Sequence, residues 1–243
     1  MPIIIFLVLH WYLSLFAQTF FHHRYGAHKM FTMNPFWEKF FFVFTWITQG
    51  SSYLNPRAYA IMHRMHHAYS DTEKDPHSPL YFRDAFQMIW HTKDYYAALV
   101  TNKVQPEPRF DKNIPSWPAL EKIAESKASR YLFAAGYIAF YVIFATQWWM
   151  WLFLPFHFFM GPIQGAVVNW AGHKYGYTNY TDGDHSKNTL FIDLLLLGEL
   201  FQNNHHHFAA RPNFATRWWE FDPVYPIIKL LDLFKIVRIV RAS

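Results

Sequence analysis

Residues 131–172 run for 42 positions without one Asp, Glu, Lys or Arg, and nothing else in the chain limits its fold as strongly. A helix needs about 20 apolar residues to cross the ~30 Å hydrocarbon core of a bilayer. The stretch therefore has the length of two spans, and Trp148, Trp149, Trp151 and Pro155 near its middle mark a tight turn. We expect a transmembrane hairpin with both ends on one face. Residues 2–21 also carry no charged side chain and read as a first span. They lack a basic leader and a small-residue cleavage site, so they are not read as a removable signal. The expected fold is an all-α integral membrane protein with about three transmembrane helices.

Composition agrees. Hydrophobic residues make up 52% of the 243 residues, aromatic ones 21% and charged ones only 16%, below the quarter usual for soluble domains. The mean hydropathy of -0.06 reflects a scale that scores Trp, Tyr and His as polar, although Trp and Tyr suit bilayer interfaces. No flexible or charge-block linker divides the chain, so residues 1–243 form one domain. The net charge of +5 comes without a basic cluster, which argues against nucleic acid and for anionic lipid headgroups or an anionic acyl carrier. Cysteine is absent, so any metal must be held by nitrogen and oxygen.

Of 22 Lys and Arg residues, 3 fall in 24–39, 11 in 55–130 and 8 after His173. None lies in the expected spans, and the positive-inside rule makes that whole side cytoplasmic. Residues 36–47 are strongly aromatic but interrupted by Glu38 and Lys39. We expect residues 36–54 to lie on or dip into the membrane, because a crossing there would separate His23 from His63. Residues 105–118 are dense in proline and read as an extended strap. The apolar run 190–200 is too short to span, so it is expected to pack against the site. The tail 226–241 alternates aliphatic pairs with basic residues and reads as an amphipathic helix on the membrane surface.

Three histidine runs stand at the polar ends of these segments: His23 with His28; His63, His66 and His67; and His205, His206 and His207. On a helix, residues i, i+3 and i+4 share a face, so His63, His66 and His67 turn three imidazoles to one side. Neutral imidazole is the commonest metal ligand, and ionisable groups at a membrane boundary point to function. One ion takes three or four protein ligands in a zinc-type site, so these runs with His173 supply two ions. Adjacent His66 and His67, like His205 and His206, diverge by about 100° and suit a split between two sites. His23 and His28 diverge by about 140° on an α-helix; either Gly26 loosens the helix end or each serves a different metal. Asp71 and Asp75 read equally as carboxylates orienting imidazoles and as loop carboxylates. His10, His91, His157 and His185 read as structural.

In these residues the sequence resembles the membrane-bound fatty acid and acyl-CoA desaturases, the stearoyl-CoA-desaturase-like branch of histidine-box di-iron enzymes. The resemblance rests on His23-Arg24-x-x-x-His28, His63-Arg64-x-His66-His67 with Asp71-Thr72-x-x-Asp75-Pro76-His77, Asn169-x-x-x-His173, and Gly198-Glu199-x-x-Gln202-Asn203-x-His205-His206. It implies two iron ions in a cytoplasmic cap, O2 as co-substrate, and a cis double bond placed in a saturated acyl chain. The implied ligands are His23, His28, His63, His66, His67, His173, His205 and His206, with Asn169 holding a metal-bound water and no catalytic residue beyond the ligands. An apolar tunnel, lined by aromatics of the first span and the hairpin, would place the chain.

Two departures stand out. Gln202 replaces a histidine usual in this branch, so an amide-oxygen ligand, a water-mediated contact or an open position is expected there, with His207 a poor substitute. One span precedes the first motif where relatives have two, which fits an outward N-terminus or a truncated start. No cytochrome b5-like extension is present, so a separate ferredoxin- or cytochrome b5-like donor is expected to supply two electrons. The acyl chain would arrive on coenzyme A, acyl carrier protein or lipid, and the membrane would be a bacterial inner membrane. A lipid hydroxylase or oxygenase on the same site is the nearest alternative. A metal transporter or sensor would instead place polar ligands at mid-span, where only His10 and His157 lie.

Overall fold

Two Asn-Pro pairs start two of the helices. Asn34 accepts the Trp37 amide at 3.1 Å and Asn55 the Ala58 amide at 2.8 Å. Pro35 and Pro56 take the first helical positions, where no amide hydrogen is required. The computed structural model describes residues 1–240. Its order is α1 (Pro2–Phe16), a π-helical segment (Ala17–Ala27), β1 (Phe31–Met33), α2 (Pro35–Gln49), α3 (Pro56–Tyr69), α4 (Ala85–Val100), α5 (Pro118–Ala124), α6 (Lys127–Phe144), α7 (Leu154–Phe158), α8 (Met160–Lys174), α9 (Gln202–His207), α10 (Val224–Leu233) and β2 (Val237–Ile239). β1 pairs antiparallel with β2, Phe31 opposite Ile239 and Met33 opposite Val237. The fold is thus mainly helical, not all-α.

The expected count of three spans is corrected. Among the described residues one continuous helix, Pro2–Ala27, is long and apolar enough to cross a bilayer. A second candidate is the pair Trp148–Phe158 and Met160–Lys174, bent by 76°. The arm breaks because Phe159 leaves the helical region at φ -123°, ψ 25°, and Pro162 has no amide hydrogen to offer the carbonyl four residues before it. α6 begins with Lys127 and carries Arg130 one turn on, and does not qualify. The uncharged stretch therefore folds as α6, a 3-10 turn and a broken return arm, not as two straight spans.

α2 lies along the first helix. The Phe41 ring lies tilted 4.6 Å from Phe20 and the Phe42 ring meets Phe21 edge-on at 4.8 Å, while Phe36, Phe40 and Ile47 face outward. The tail is helical only to Leu233; Lys235 then turns left-handed at φ 58° and the chain enters β2. Asp232 fixes that reversal by accepting the Ile239 amide at 3.1 Å. Of the basic residues expected on the tail helix, Arg238 lies in the strand and Arg241 lies outside the described residues.

Arg24 joins the first helix to the late part of the chain. It is fully buried, donates to Asp222 at 2.8 Å and to the Pro212 carbonyl at 3.2 Å, and lies 3.8 Å from the centre of the Phe214 ring. Glu199 stands 3.4 Å from the same guanidinium. Gly198 carries the chain past this cluster at φ 90°, where a Cβ would stand 2.7 Å from Asp222 Oδ1; only glycine meets both demands. Removing the cation leaves two buried carboxylates uncompensated, a loss of ~3–5 kcal/mol for a broken buried pair. Arg24→Ala is therefore expected to unfold far more readily than the parent in denaturant titrations of the detergent-solubilised protein, whereas Arg83→Ala, an exposed pair, leaves the midpoint unchanged.

Candidate metal centre

The last turns of the first long helix are wound with hydrogen bonds five residues back, the π pattern, which occurs mostly at functional sites. The His28 amide reaches the His23 carbonyl at 3.1 Å. Winding that spans five residues turns less per residue than an α-helix, so the 140° divergence shrinks and the two rings come within 5.0 Å. Arg64 on α3 secures this end by donating to the carbonyls of Ala27 at 2.9 Å and Gly26 at 3.1 Å. The arginines inside both early motifs thus hold the elements that carry the histidines. The sequence offered no signal for that role.

Two groups of imidazoles result. His23, His28, His63, His67 and His205 each bring one ligand atom within 4.8 Å of the others, and so do His66, His173 and His206. On α3, His63 and His67 are one turn apart and enter the first group, while His66 enters the second. On α9, His205 and His206 divide the same way. In the first group the Nε2 atoms of His28 and His63 stand 2.6 Å apart, those of His23 and His205 2.9 Å, and those of His67 and His205 3.0 Å. In the second, His66 Nε2 and His173 Nε2 are 3.1 Å apart.

Carboxylates face the other ring nitrogens. His66 Nδ1 lies 2.8 Å from Asp75, His173 Nδ1 3.1 Å from Asp71, His206 Nδ1 2.5 Å from Asp184 and His23 Nδ1 2.6 Å from Glu199. An imidazole donating from Nδ1 has a bare lone pair at Nε2. At His66 and His173 two such lone pairs face each other at 3.1 Å and repel unless a cation lies between them. Neighbouring nitrogens around one ion with bonds near 2.1 Å stand about 3 Å apart. The His206 Nε2 atom is buried with no hydrogen-bond partner. The donor set fits two transition-metal ions.

The protonation states agree. Burial, reinforced by neighbouring imidazoles, holds His28, His63, His66, His67 and His205 well below the ordinary histidine range. Burial also lowers His206, against the pull of Asp184. For Asp71 and Asp184 burial acts upward but is outweighed by hydrogen bonds from His173 and His206, so both carboxyls sit below their usual range. Asp75 is raised by burial. Neutral imidazoles are what metal ligation requires, and at Asp71 and Asp184 they stand beside carboxylates held toward the ionised form.

A cavity of about 510 Å³ reaches this centre, bordered by His63, Asn169, Glu199 and Gln202 at the polar end and by Leu54, Met62, Met88, Phe158, Phe159 and Val168 elsewhere. Its aromatic lining comes mainly from α3, α4 and the broken arm. The first helix contributes only Gln18, because its aromatic side chains pack elsewhere: Phe16, Phe20 and Phe21 against α2, and Phe6 against Phe140 and His157. Asn169 precedes His173 by one turn, as Gln202 precedes His206. Gln202 is buried, and its Nε2 donates to the Glu199 carbonyl at 2.7 Å. His207 turns away, bonded to Asp182 at 2.7 Å and stacked 3.9 Å from Tyr180. His10 and His157 meet each other at 2.7 Å, far along the first helix from His23. Sequence reasoning assigned no role to Glu199, although it stood in a quoted motif, and did not single out Asp184, which lies in an unpatterned polar loop.

Residues 1–235 match the model of the fatty acid desaturase family. The chain belongs to that family. It is 29% identical over 248 residues to the sn-1 stearoyl-lipid 9-desaturase of Anabaena variabilis, covering 98% of this chain and 83% of the relative. A Synechocystis protein of the same name is 28% identical, covering 90% and 65% respectively. An acyl-CoA 5-desaturase of Anemone leveillei is 27% identical, covering 94% and 68%. The enzyme is a fatty acid desaturase, and the desaturase fold brings its histidine runs together from residues 23 to 206.

Two outcomes follow for this desaturase. Asp75→Asn or Glu199→Gln removes a carboxylate behind a ligand and is expected to weaken metal binding by about 10–100-fold, read by chelator competition. In the metal-free protein the lowered imidazoles stay neutral while their unfolded counterparts take up protons. The unfolded chain therefore binds more protons, and stability falls as pH drops below about 6.5 and onward through the lowered folded values. Melting temperature measured from pH 8 to 5 should fall steeply below that point, and less steeply in His63→Ala.

Proposed function

We propose that this desaturase holds two iron ions, one on His23, His28, His63, His67 and His205 and one on His66, His173 and His206, and uses O2 and two electrons to place a cis double bond in a saturated acyl chain. The observation that carries this reading is the convergence of two groups of imidazole nitrogens beside a largely apolar cavity. Iron supplies the oxidising chemistry when bound. The chain's own residues do the rest. Asp71, Asp75, Asp184 and Glu199 fix the ring orientations and keep each Nδ1 protonated. Met62, Met88, Phe158, Phe159 and Val168 give the acyl chain an apolar path and exclude water. Asn169, facing the cavity one turn from His173, is placed to hold a water at the second ion.

The substrate is an acyl chain on lipid, coenzyme A or acyl carrier protein; the relatives' names include both stearoyl-lipid and acyl-CoA desaturases. The electrons come from a separate ferredoxin- or cytochrome b5-like donor. The first helix and the broken arm seat the protein in the membrane, a bacterial inner membrane in this reading, with the metal centre on the cytoplasmic face, where every basic residue outside the apolar segments lies. Residues 1–243 act as one domain.

Fatty-acid profiling of a bacterial host expressing the chain tests the proposal. New monounsaturated acyl chains are expected, with about two irons per purified chain and loss of product in His66→Ala/His67→Ala. An oxygenated lipid without a new alkene would favour the hydroxylase reading instead, and less than one iron per chain in active protein would remove the dinuclear one.

A further inference from the structure

The two nitrogen groups are not equivalent. The first gathers five imidazoles and the second three. Two amides sit one helical turn before histidines of the second group, on the same helix face: Asn169 before His173 on α8, and Gln202 before His206 on α9. Both border the cavity. Gln202 is seated against α8 at Gly172, where a Cβ would stand 2.4 Å from its Cγ. The absence of a side chain at Gly172, immediately before His173, makes room for it. Its Nε2 must face the Glu199 carbonyl, 2.7 Å away, since the amide oxygen would repel that acceptor. The orientation is therefore set, and the oxygen is the atom left to bind.

We propose that Gln202 completes the three-imidazole position through its amide oxygen, and that this position binds its metal more weakly than the five-imidazole one. The proposal rests on the dinuclear reading above and adds an order of affinity within it. Imidazole suits iron, zinc and copper, whereas carbonyl-type oxygen suits harder ions. Exchanging one nitrogen for an amide oxygen, in a position with fewer imidazoles to begin with, separates two otherwise similar sites. Glu199 links them, because its carboxylate lies against His23 of the first group while its carbonyl aligns Gln202 at the second.

The test is metal binding, not turnover. Full-length metal-free protein in detergent is titrated anaerobically with Co2+ against a competing chelator, and visible absorption reports each ion's ligand field. Two steps at least tenfold apart are expected in the parent. Gln202→His should tighten the weaker step by tenfold or more and change its spectrum, leaving the tighter step in place. Gln202→Leu should weaken only the weaker step, and His206→Ala should remove it. Circular dichroism melts identify any variant that fails to fold, and Gln202→His, which restores a ligand, decides the matter if Gln202→Leu does not fold. Two ions bound with equal affinity, or a weaker step unmoved in Gln202→His, would overturn the proposal while leaving the dinuclear reading standing. Uptake of fewer than two ions by the parent would overturn both.

Discussion

Eight imidazoles drawn together in two groups, with bare lone pairs opposed at 3.1 Å between His66 and His173, are an arrangement that a protein interior does not adopt unaided. Much of the buried polar structure of this chain holds them there. Four carboxylates grip the outer edges of four rings, Arg64 fastens the end of the π-wound turn, and Arg24 anchors the turn before it to Asp222. A buried ionic network is rarely a net source of stability; its worth here is that it leaves the imidazoles one orientation. The energetic cost of their convergence is relieved when a cation enters, so folding and metal binding are two halves of one equilibrium.

The two kinds of helix divide the labour. Ordinary α-helical winding in α3 and α9 sends adjacent histidines about 100° apart, and this sorts His66 from His67 and His205 from His206 between two groups. The π-wound segment does the reverse, gathering two histidines that α-helical winding would separate. The same backbone deviation that brings His28 beside His23 also exposes carbonyls at the helix end, and Arg64 from the next motif is shaped to take them.

Much of this was legible in the sequence. The family was legible as a resemblance carried by the histidine motifs, and the divergence of adjacent imidazoles, which the structure sorts into two groups, follows from local spacing. What was not legible depended on departures from regular geometry or on distant contacts. The π winding at Ala17–Ala27 has no residue signature beyond Gly26. The break at Phe159 needed Pro162 and its packing environment, so an uncharged run of the right length read as two spans. Asp184 approaches His206 from a loop without pattern, and the reversal at Lys235 depends on Asp232 reaching Ile239. In the tail, alternation of apolar and basic residues cannot by itself separate a surface helix from a short helix followed by an edge strand.

The Arg24–Asp222 contact joins positions 198 residues apart, and His23 meets His205 across 182. During synthesis the first helix leaves the ribosome long before either partner exists. Nothing translated by then can orient His23 or compensate the charge on Arg24, so that helix end must wait, solvated, until almost the whole chain has been made. Contacts of such sequence separation form late and slowly. The metal centre is accordingly a post-translational structure in the temporal sense. Its assembly is governed by when the C-terminal third arrives, and a chain stalled after α8 would hold six of the eight converging histidines and lack His205 and His206, which complete the two groups.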